Sequence, residues 1–210
     1  MNLKFKISNL KSNAGFTLVE MMITVSIVVI IMLVVMFNYR TFSDNLALSS
    51  AGQEIAIELR QAQIYGLSVK EGAVGGNIFS YGYGIYVEKS DPLNYILFVD
   101  KNNDNKYDTS SVCPGGTECV EKVPIRNGVK ISDICWAPFG GGFVCPSAAN
   151  VQSMDVLFLR PNPDVGIRFL VNVPPVTLLG TYQTGRIVLT SPLGKTMTVS
   201  IQNTGQISVQ

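Results

Sequence analysis

The hydrophobic positions of this chain are unevenly distributed, and they divide it into three parts. Residues 16–37 are apolar almost without interruption, and Glu20 is the one charged residue among them. Residues 38–68 keep a helical pattern, because apolar side chains recur there at steps of three and four. From about Gly72 onward, short apolar runs alternate with Gly, Pro, Asn and Asp, which is typical of β-strands joined by turns.

The first part is long enough to cross a membrane. As an α-helix, residues 16–37 would extend about 33 Å, and a hydrocarbon core is about 30 Å thick. A helix of this length that is apolar on every face usually spans a membrane, and the alternative is the buried core helix of a globular protein. The sequence therefore predicts a transmembrane helix.

The second part predicts an amphipathic continuation of that helix. Its apolar stripe consists of Leu48, Ala51, Ile55, Leu59 and Ala62. One helix could thus run over residues 16–68, with Gly66 or Gly72 marking its exit, and its second half would lay the stripe against a β-sheet. The alternative is a separate soluble helix that follows a membrane span.

The third part predicts a β-rich head. The predicted strands are 78–87, 95–99, 129–134, 154–160, 166–171, 186–190, 195–201 and 206–209. Residues 191–194 and 203–205 are predicted hairpin turns. The expected fold class is α+β: a long N-terminal helix, half transmembrane and half amphipathic, packed on a C-terminal antiparallel β-sheet head.

Composition excludes several classes of function. The chain of 210 residues contains no His, which excludes catalysis by Ser-His or Cys-His pairs and zinc sites that use His. Its formal net charge of +1 gives no general attraction for nucleic acid. A local basic patch of Lys122, Arg126 and Lys130 is the one feature that favours DNA binding. No enzyme motif is present in the sequence, so we predict a protein that is not an enzyme.

The segment before the apolar helix resembles a leader peptide with an unusual cleavage position. It carries Lys4, Lys6 and Lys11 and no acidic residue, which keeps the N-terminus in the cytoplasm by the positive-inside rule. A secretory signal has its small-residue cleavage site after the apolar core. Here Ala14 and Gly15 precede that core, so cleavage would leave the apolar helix in the mature protein.

Glu20 is the second unusual feature of this region. A carboxylate within a membrane span costs free energy and usually marks a functional pairing. The candidate partner is the new α-amino group that cleavage before Phe16 would create. Two opposite charges in a medium of low dielectric constant are far less costly together than apart.

The residues Gly15-Phe16-Thr17-Leu18-Val19-Glu20 resemble the cleavage and methylation motif of type IV prepilins and type II secretion pseudopilins. The resemblance implies that prepilin peptidase cuts after Gly15 and that Phe16 becomes the N-methylated mature N-terminus. It also implies that Glu20 neutralises the amine of Phe16 on a neighbouring subunit during filament assembly. The fold that it implies is the pilin fold.

The same resemblance implies the organisation and function of the whole chain. Residues 1–15 would be the leader, 16–38 the transmembrane and filament-core helix, 39–70 its amphipathic continuation, and 71–210 the globular head. The protein would be a minor pilin or pseudopilin, inserted once in the inner membrane with its head outside the cytoplasm. Its partners would be prepilin peptidase, other pilins and the inner-membrane assembly platform.

Two alternatives within this class stay open: a major type IV pilin, and a tip subunit for adhesion or DNA uptake. A minor role is favoured because the chain left after removal of residues 1–15 is somewhat long. The closing segment, 184–207, also resembles the last strands of H-type pseudopilins and FimT-type minor pilins. That second resemblance rests on β-strands bounded by glycine, which many other proteins contain.

The four cysteines, Cys113, Cys119, Cys135 and Cys145, all lie in the predicted head. Their spacing does not suit a structural zinc site, which uses short paired spacings, so disulfides are favoured in an oxidising compartment. Three pairings are open. The favoured one joins Cys113 to Cys119 and Cys135 to Cys145, because each bond would then close a glycine-rich loop.

An acidic loop follows the second predicted strand and partly fits a calcium-binding pattern. Oxygen-bearing side chains occur at positions 1, 3, 5 and 9, and position 7 would offer a backbone carbonyl. These positions are Asp100, Asn102, Asp104, Asp108 and, for the carbonyl, Lys106. Position 6 is Asn105 instead of Gly, and position 12 is Ser111 instead of Glu. Calcium is thus the one cofactor that the sequence suggests, and an Asn/Asp-rich turn without metal is the alternative.

Overall fold

A computed structural model of the chain describes residues 15–68, 81–109, 112–113, 117–138, 141–145, 151–160, 165–172, 175–179 and 182–210. Within these ranges it contains one long helix and ten strands. The chain divides into two units, Met1–Phe42 and Ser43–Gln210. The first unit contains the N-terminal half of the helix, and the second contains the rest of the helix and every strand.

The helix α1 spans Leu18–Leu67 without a break, as the sequence predicts for residues 16–68. In the second unit, the predicted stripe is buried along its whole length, from Leu48 through Ile55 and Leu59 to Ala62. The helix ends at Leu67, and Gly72, the other predicted exit, lies outside the described residues. Gly66 is one residue from that end. It lies inside the last turn, where an added Cβ atom would come within 2.8 Å of the Phe158 Cβ atom.

The larger sheet has six antiparallel strands in the order β3-β2-β1-β5-β6-β7. Its strands, in chain order, are β1 (Gly82–Glu88), β2 (Asn94–Asp100), β3 (Cys119–Pro124), β5 (Val151–Phe158), β6 (Val165–Asn172) and β7 (Pro175–Leu179). The smaller sheet has four antiparallel strands in the order β10-β9-β8-β4. They are β4 (Lys130–Pro138), β8 (Tyr182–Thr190), β9 (Thr196–Gln202) and β10 (Ile207–Val209).

One hydrophobic core joins the second half of α1 to both sheets. Leu59 of the helix is fully buried in the same cluster as Ile85 of β1 and Ile187 of β8. The helix packs closely on the smaller sheet at Gly52, where an added Cβ atom would lie 2.8 Å from the Met197 sulfur atom. The α+β prediction of a long helix packed on antiparallel β-sheet is therefore confirmed.

A second, smaller cluster covers the other face of the larger sheet. Because side chains alternate along a strand, Tyr86 of β1 and Phe98 of β2 point away from the helix. Tyr107, from the loop after β2, packs on both, with ring centroids 5.0 Å from Tyr86 and 5.5 Å from Phe98. The acidic loop is thereby held against the outer face of the sheet.

The turn between β8 and β9 is fastened to the helix by a buried carboxylate. Asp44 accepts hydrogen bonds from the Ser191 hydroxyl at 2.6 Å and from the Leu193 backbone N–H at 3.3 Å. The Lys195 ammonium group also donates to the Asn45 side-chain oxygen at 2.6 Å. These bonds tie the predicted hairpin turn at 191–194 to the start of the second unit.

The strand predictions were wrong in two places and shifted in others. Strands β3 and β7 were not predicted. β3 is an edge strand with Glu121 and Lys122 in its middle, so it lacks an apolar run. β7 begins at Pro175, directly after another proline, and proline disfavours strand predictions.

Other strands were predicted, but their boundaries differ in the structure. β4 continues to Pro138 instead of ending at 134, because it pairs with β8 through Trp136 and beyond. β5 begins at Val151 and ends at Phe158, whereas we predicted 154–160. The first predicted strand, 78–87, starts among residues outside the described ones, and β1 covers Gly82–Glu88.

Candidate functional site

The N-terminal end of α1 is built by a side-chain cap. Thr17 precedes the first helical residue, and its hydroxyl accepts a hydrogen bond from the Glu20 backbone N–H at 3.2 Å. Thr at the N-cap followed three residues later by Glu is the capping-box pattern, which satisfies free N–H groups of the first turn. Glu20 also lies in that first turn, where the helix dipole favours a negative charge. The carboxylate that sequence analysis singled out thus has a local structural role as well.

The predicted cleavage point is accessible in this structure. Gly15 and Phe16 precede the helix, and Phe16 is 70% exposed. An added Cβ atom at Gly15 would meet nothing within 4 Å. The remainder of the predicted leader, residues 1–14 with Lys4, Lys6 and Lys11, lies outside the described residues.

The first half of α1 presents an apolar surface on every side. All residues from 15 to 43 are exposed, and most of them are apolar. By length and composition, this is a helix that could cross a membrane. Two hydroxyl groups in this half bond to the backbone of the helix itself. The Ser26 hydroxyl donates to the Met22 carbonyl at 2.8 Å, and the Thr24 hydroxyl donates to the Met21 carbonyl at 3.0 Å. Polar groups satisfied within the helix can enter an apolar environment at lower cost.

Comparison with protein families matches this same segment. Residues 10–36 match the family model described as the prokaryotic N-terminal methylation motif. The chain carries a prepilin methylation motif. The match supports a type IV pilin-like prepilin and is consistent with the type IV pilin and pseudopilin family, although it covers only the N-terminal part of the chain. Neither curated proteins nor solved structures gave a match.

The prepilin motif contains Gly15, Phe16 and Glu20, the three residues to which sequence analysis assigned processing and assembly. A prepilin motif implies processing by prepilin peptidase and assembly with other pilins in a filament. The individual roles of cleavage at Gly15, N-methylation at Phe16 and charge pairing at Glu20 stay predictions.

Both disulfides in the structure join neighbouring cysteines in the sequence. Cys113 is bonded to Cys119 and Cys135 to Cys145, which is the pairing that the sequence analysis favoured. Cys119 begins the edge strand β3, and Cys135 lies in β4. A disulfide that closes a loop of about 10 residues stabilises a fold by roughly 2–3 kcal/mol in the entropic view. Both therefore add to the stability of the head.

The acidic loop after β2 is held by its own side chains. The Asp100 carboxylate accepts hydrogen bonds from the backbone N–H groups of Asp104 at 3.2 Å and Asn105 at 2.9 Å. Asn105 has a φ of 62°, so it adopts the left-handed conformation that glycine provides in calcium loops. The Lys106 ammonium group lies 3.0 Å from Asp104 and 3.6 Å from Asp108.

In this arrangement the Lys106 ammonium group supplies a positive charge beside the carboxylates of Asp104 and Asp108. Asn102 donates a hydrogen bond to the second Asp108 oxygen at 3.1 Å, so the side chains predicted as calcium ligands do lie near one another. Among the described residues, however, no group of three acidic, Cys or His side chains could hold a metal ion. Ser111, at position 12 of the pattern, lies outside them. Calcium binding stays a prediction.

Two residues that sequence analysis missed connect the acidic loop to the larger sheet. Asp155 of β5 accepts a hydrogen bond from the Tyr107 backbone N–H at 3.1 Å. Arg168, its partner across the β5–β6 pair, donates to the carbonyls of Asp104 at 3.0 Å and Asn105 at 2.7 Å. Burial raises the pKa of Asp155 to about 7, although the Tyr107 N–H and the Arg168 charge both favour its ionised form.

The sequence contained one indication of this pair. Asp155 and Arg168 are charges within otherwise apolar strands, and a buried charge needs a partner. Only the register of β5 and β6 identifies that partner.

The predicted basic patch is partly neutralised. Lys122 forms an ion pair with Asp91 at 2.7 Å, while Arg126 and Lys130 are exposed. The patch therefore offers less positive charge than its composition suggests.

Proposed function

We propose that this protein is a minor pilin or pseudopilin, a structural subunit without enzymatic activity that joins a type IV pilus or a type II secretion-like filament. The observation that carries the proposal is the prepilin motif at 10–36, located at the start of an uninterrupted helix whose first half exposes apolar side chains on all sides. Such a surface needs an apolar environment, which a membrane supplies before assembly and a filament core supplies afterwards.

The proposed maturation follows from this arrangement. Prepilin peptidase removes residues 1–15, and Phe16 becomes the N-methylated mature N-terminus. Residues 16–38 then hold the protein in the inner membrane, residues 39–70 continue the helix, and residues 71–210 form a head outside the cytoplasm. The assembly platform transfers the subunit from the membrane into the filament. The two disulfides fit an oxidising compartment for the head.

In the filament, Glu20 pairs with the amine of Phe16 on a neighbouring subunit. A carboxylate alone in an apolar core costs several kcal/mol, so the pair forms only when the two subunits are in the correct axial position. Glu20 thereby sets the register of the helices, as single buried polar residues do in coiled coils.

The test is to replace Glu20 in the native host and to measure processing and filament content. Glu20→Gln keeps a side chain suited to the third position of a capping box but removes the charge. We expect normal cleavage after Gly15 and at least about a tenfold loss of the subunit from sheared filaments. Glu20→Ala, which also removes the polar side chain, should reduce filament content to a similar degree, because the charge is the decisive property.

N-terminal sequencing and mass spectrometry of the filament fraction check the rest of the proposal. A mature chain that begins with N-methylated Phe16 supports it, and one that begins with Met1 or lacks the apolar helix contradicts it. Normal filament content in Glu20→Gln would overturn the role of Glu20 alone.

A major pilin and a tip subunit for adhesion or DNA uptake are the alternative roles within the class. The ratio of this protein to other pilins in purified filaments separates a minor from a major subunit. DNA uptake is disfavoured, because removal of the leader with its three lysines lowers the formal net charge from +1 to about −2. Salt-dependent DNA binding by the full chain, lost on replacement of Arg126 and Lys130, would support that alternative.

A further inference from the structure

Two turns of the head lie side by side at the end where the second unit begins. The turn at 191–194 is fastened to the helix there by the buried carboxylate of Asp44. The turn at 126–129 packs on it, because an added Cβ atom at Gly128 would lie 3.0 Å from the Pro192 Cγ atom. Most residues of both turns are exposed, so the two turns form part of the outer surface of the head.

A third turn, at 89–93, completes this end of the head. The Ile125 backbone N–H donates a hydrogen bond to the Leu93 carbonyl at 2.7 Å, which holds the third turn beside the turn at 126–129. Leu93 is 50% exposed, and Leu193 of the first turn is 57% exposed. Two large apolar residues are therefore open to the surroundings on a surface made of turns.

Three basic residues at this end form no salt bridge with any residue that the structure describes. Arg126 lies in the second turn, and Lys130 begins β4 opposite the last residue of β8. Lys195 follows the first turn and is hydrogen-bonded to the helix. The acidic residue of the third turn, Asp91, is already paired with Lys122. Five residues thus form the basic end of the head: Leu93, Arg126, Lys130, Leu193 and Lys195.

The acidic loop lies at the opposite end of the head. Strand β2 starts just after the turn at 89–93 and runs for about 20 Å before that loop begins. Asp100, Asp104 and Asp108 belong to the loop, where Lys106 pairs with the last two. The head is therefore polarised, with unpaired positive charge at the start of the second unit and acidic side chains away from it.

The chain itself limits how far the basic end can be from the proposed membrane span. That span ends at residue 38, and Asp44, which fastens the turn at 191–194, follows six residues later. A segment of six residues extends at most about 22 Å. Asp44 therefore lies within about 22 Å of the end of the span, and the turn that it fastens is tied to the membrane by this short connection.

We propose that the basic end of the head binds the surface of a membrane that contains anionic phospholipids. The proposal rests on the proposed function in one respect, the membrane span of residues 16–38. Arg126, Lys130 and Lys195 pair with lipid phosphates, while Leu93 and Leu193 enter the boundary between headgroups and acyl chains. The contact holds the head of the free subunit against the membrane before the subunit enters a filament.

The exposed leucines favour lipid over nucleic acid as the partner. Both partners carry phosphates and would attract the three basic residues. A nucleic acid would leave Leu93 and Leu193 without an apolar contact, whereas a membrane interface accommodates basic and apolar side chains together. The short connection to the span also keeps a membrane within reach at all times.

The first experiment measures the contact of Leu193 with lipid in the full chain reconstituted into vesicles. Leu193→Trp places an indole at this exposed position, and phospholipids brominated on their acyl chains quench the fluorescence of a nearby indole. Quenching in vesicles of phosphatidylcholine and phosphatidylglycerol in equal parts should exceed that in pure phosphatidylcholine by at least about twofold. It should decrease as sodium chloride is added, because salt screens the attraction.

The matched control for this measurement is Thr204→Trp. Thr204 is exposed in the turn before β10, and the carbonyl of the next residue, Gly205, accepts a hydrogen bond from Gln63 near the far end of the helix. Phosphatidylglycerol should not increase quenching at that position. The original protein supplies the signal of Trp136, which is subtracted from both variants.

The second experiment removes the charge from the basic end. Arg126→Gln/Lys130→Gln, combined with Leu193→Trp, should reduce quenching in the mixed vesicles to the value in pure phosphatidylcholine. Arg60→Gln/Lys101→Gln removes the same charge from other parts of the second unit and should keep the full quenching. Equal melting temperatures of the two double variants show that the fold is intact in both.

The outcomes separate this proposal from the proposed function. A chain that an alkaline carbonate wash removes from the vesicles has no membrane span, which contradicts the proposed function and the membrane contact together. A chain that stays in the vesicles but shows no extra quenching with phosphatidylglycerol, or keeps it in Arg126→Gln/Lys130→Gln, overturns the contact alone. Salt-dependent binding of duplex DNA that this double variant abolishes, without the extra quenching, assigns the basic end to nucleic acid and also overturns the contact.

Discussion

The two halves of α1 have the same backbone conformation and very different side-chain environments. Residues 18–42 are exposed all around, and most of them are apolar. Residues 43–67 bury one stripe, from Leu48 to Ala62, and carry Glu54, Glu58 and Arg60 elsewhere on the helix. Judged by hydrophobicity alone, both halves would be expected in an apolar environment, either a protein core or a membrane. The distribution of apolar residues around the axis determines whether a helix half packs on its own chain or needs a surrounding apolar medium.

The strongest test of this difference is to make the same substitution in both halves of the helix. Leu59→Ala removes a fully buried side chain and should lower the free energy of unfolding of the head by about 3–5 kcal/mol. Leu33→Ala, at a position that is 51% exposed, should leave it unchanged. Denaturant unfolding of the full chain in detergent can be followed by the fluorescence of Trp136, the single Trp, which lies in the head. Equal losses in the two variants would contradict the comparison.

The pH dependence of stability should also distinguish the head from the apolar half of the helix, because Asp155 lies in the head. The pKa of Asp155 is raised by burial to about 7 in the folded head, from an ordinary value of 3.8. The folded state therefore holds a proton that the unfolded state has lost between these values, and stability falls as the pH rises from about 4 to 7. A shift of this size corresponds to at most about 4 kcal/mol.

Asp155→Asn should make this pH dependence clearly smaller, and the part that is left belongs to Asp100 and Glu118, whose pKa values burial also raises. Its amide oxygen can still accept the Tyr107 hydrogen bond, and melting temperatures between pH 4 and pH 8 report the change. A slope in Asp155→Asn as steep as that of the original protein would contradict the role of Asp155.

Close packing in the second half of the helix can be tested at Gly66. A methyl group there would overlap Phe158, so Gly66→Ala should destabilise the head by about 1–3 kcal/mol despite the higher helix propensity of alanine. Gly142→Ala is the matched control, because an added Cβ atom at Gly142 would meet nothing within 4 Å. Chemical denaturation should show the loss in the first variant only.

The smallest expected effect concerns calcium and the acidic loop. Lys106 already places a positive charge between Asp104 and Asp108, so calcium should raise the melting temperature of the original protein only slightly above its value in chelator. Lys106→Gln frees both carboxylates and should increase the calcium-dependent rise. If calcium raises the melting temperature of the original protein as much as, or more than, that of Lys106→Gln, the lysine does not take the place of the metal.

Sequence analysis predicted most of the fold, for reasons that differ between regions. The helix and its stripe follow from local periodicity, and the structure confirms both. The edge strand β3 was missed because Glu121 and Lys122 interrupt any apolar pattern, and β7 was missed because it starts with proline. Strands of this kind are defined by the partner to which they bond, so the sequence of the strand alone does not reveal them.

The candidate sites also differ in how far the sequence alone reveals them. Gly15, Phe16 and Glu20 are recognisable because their roles depend on order along the chain. Asp155 with Arg168 could not be paired from the sequence, since the two residues come together only through the register of β5 and β6.

The sequence by itself determined the apolar N-terminal helix, its prepilin motif and the amphipathic stripe, because each depends on residues a few positions apart. Tertiary structure decided which charges are buried and which are left without a partner. Burial and pairing depend on residues far apart in the chain, and their energies change steeply over a few ångströms. For that reason the beginning of the protein could be understood from its order of residues, whereas the charged groups of the head required its folded form.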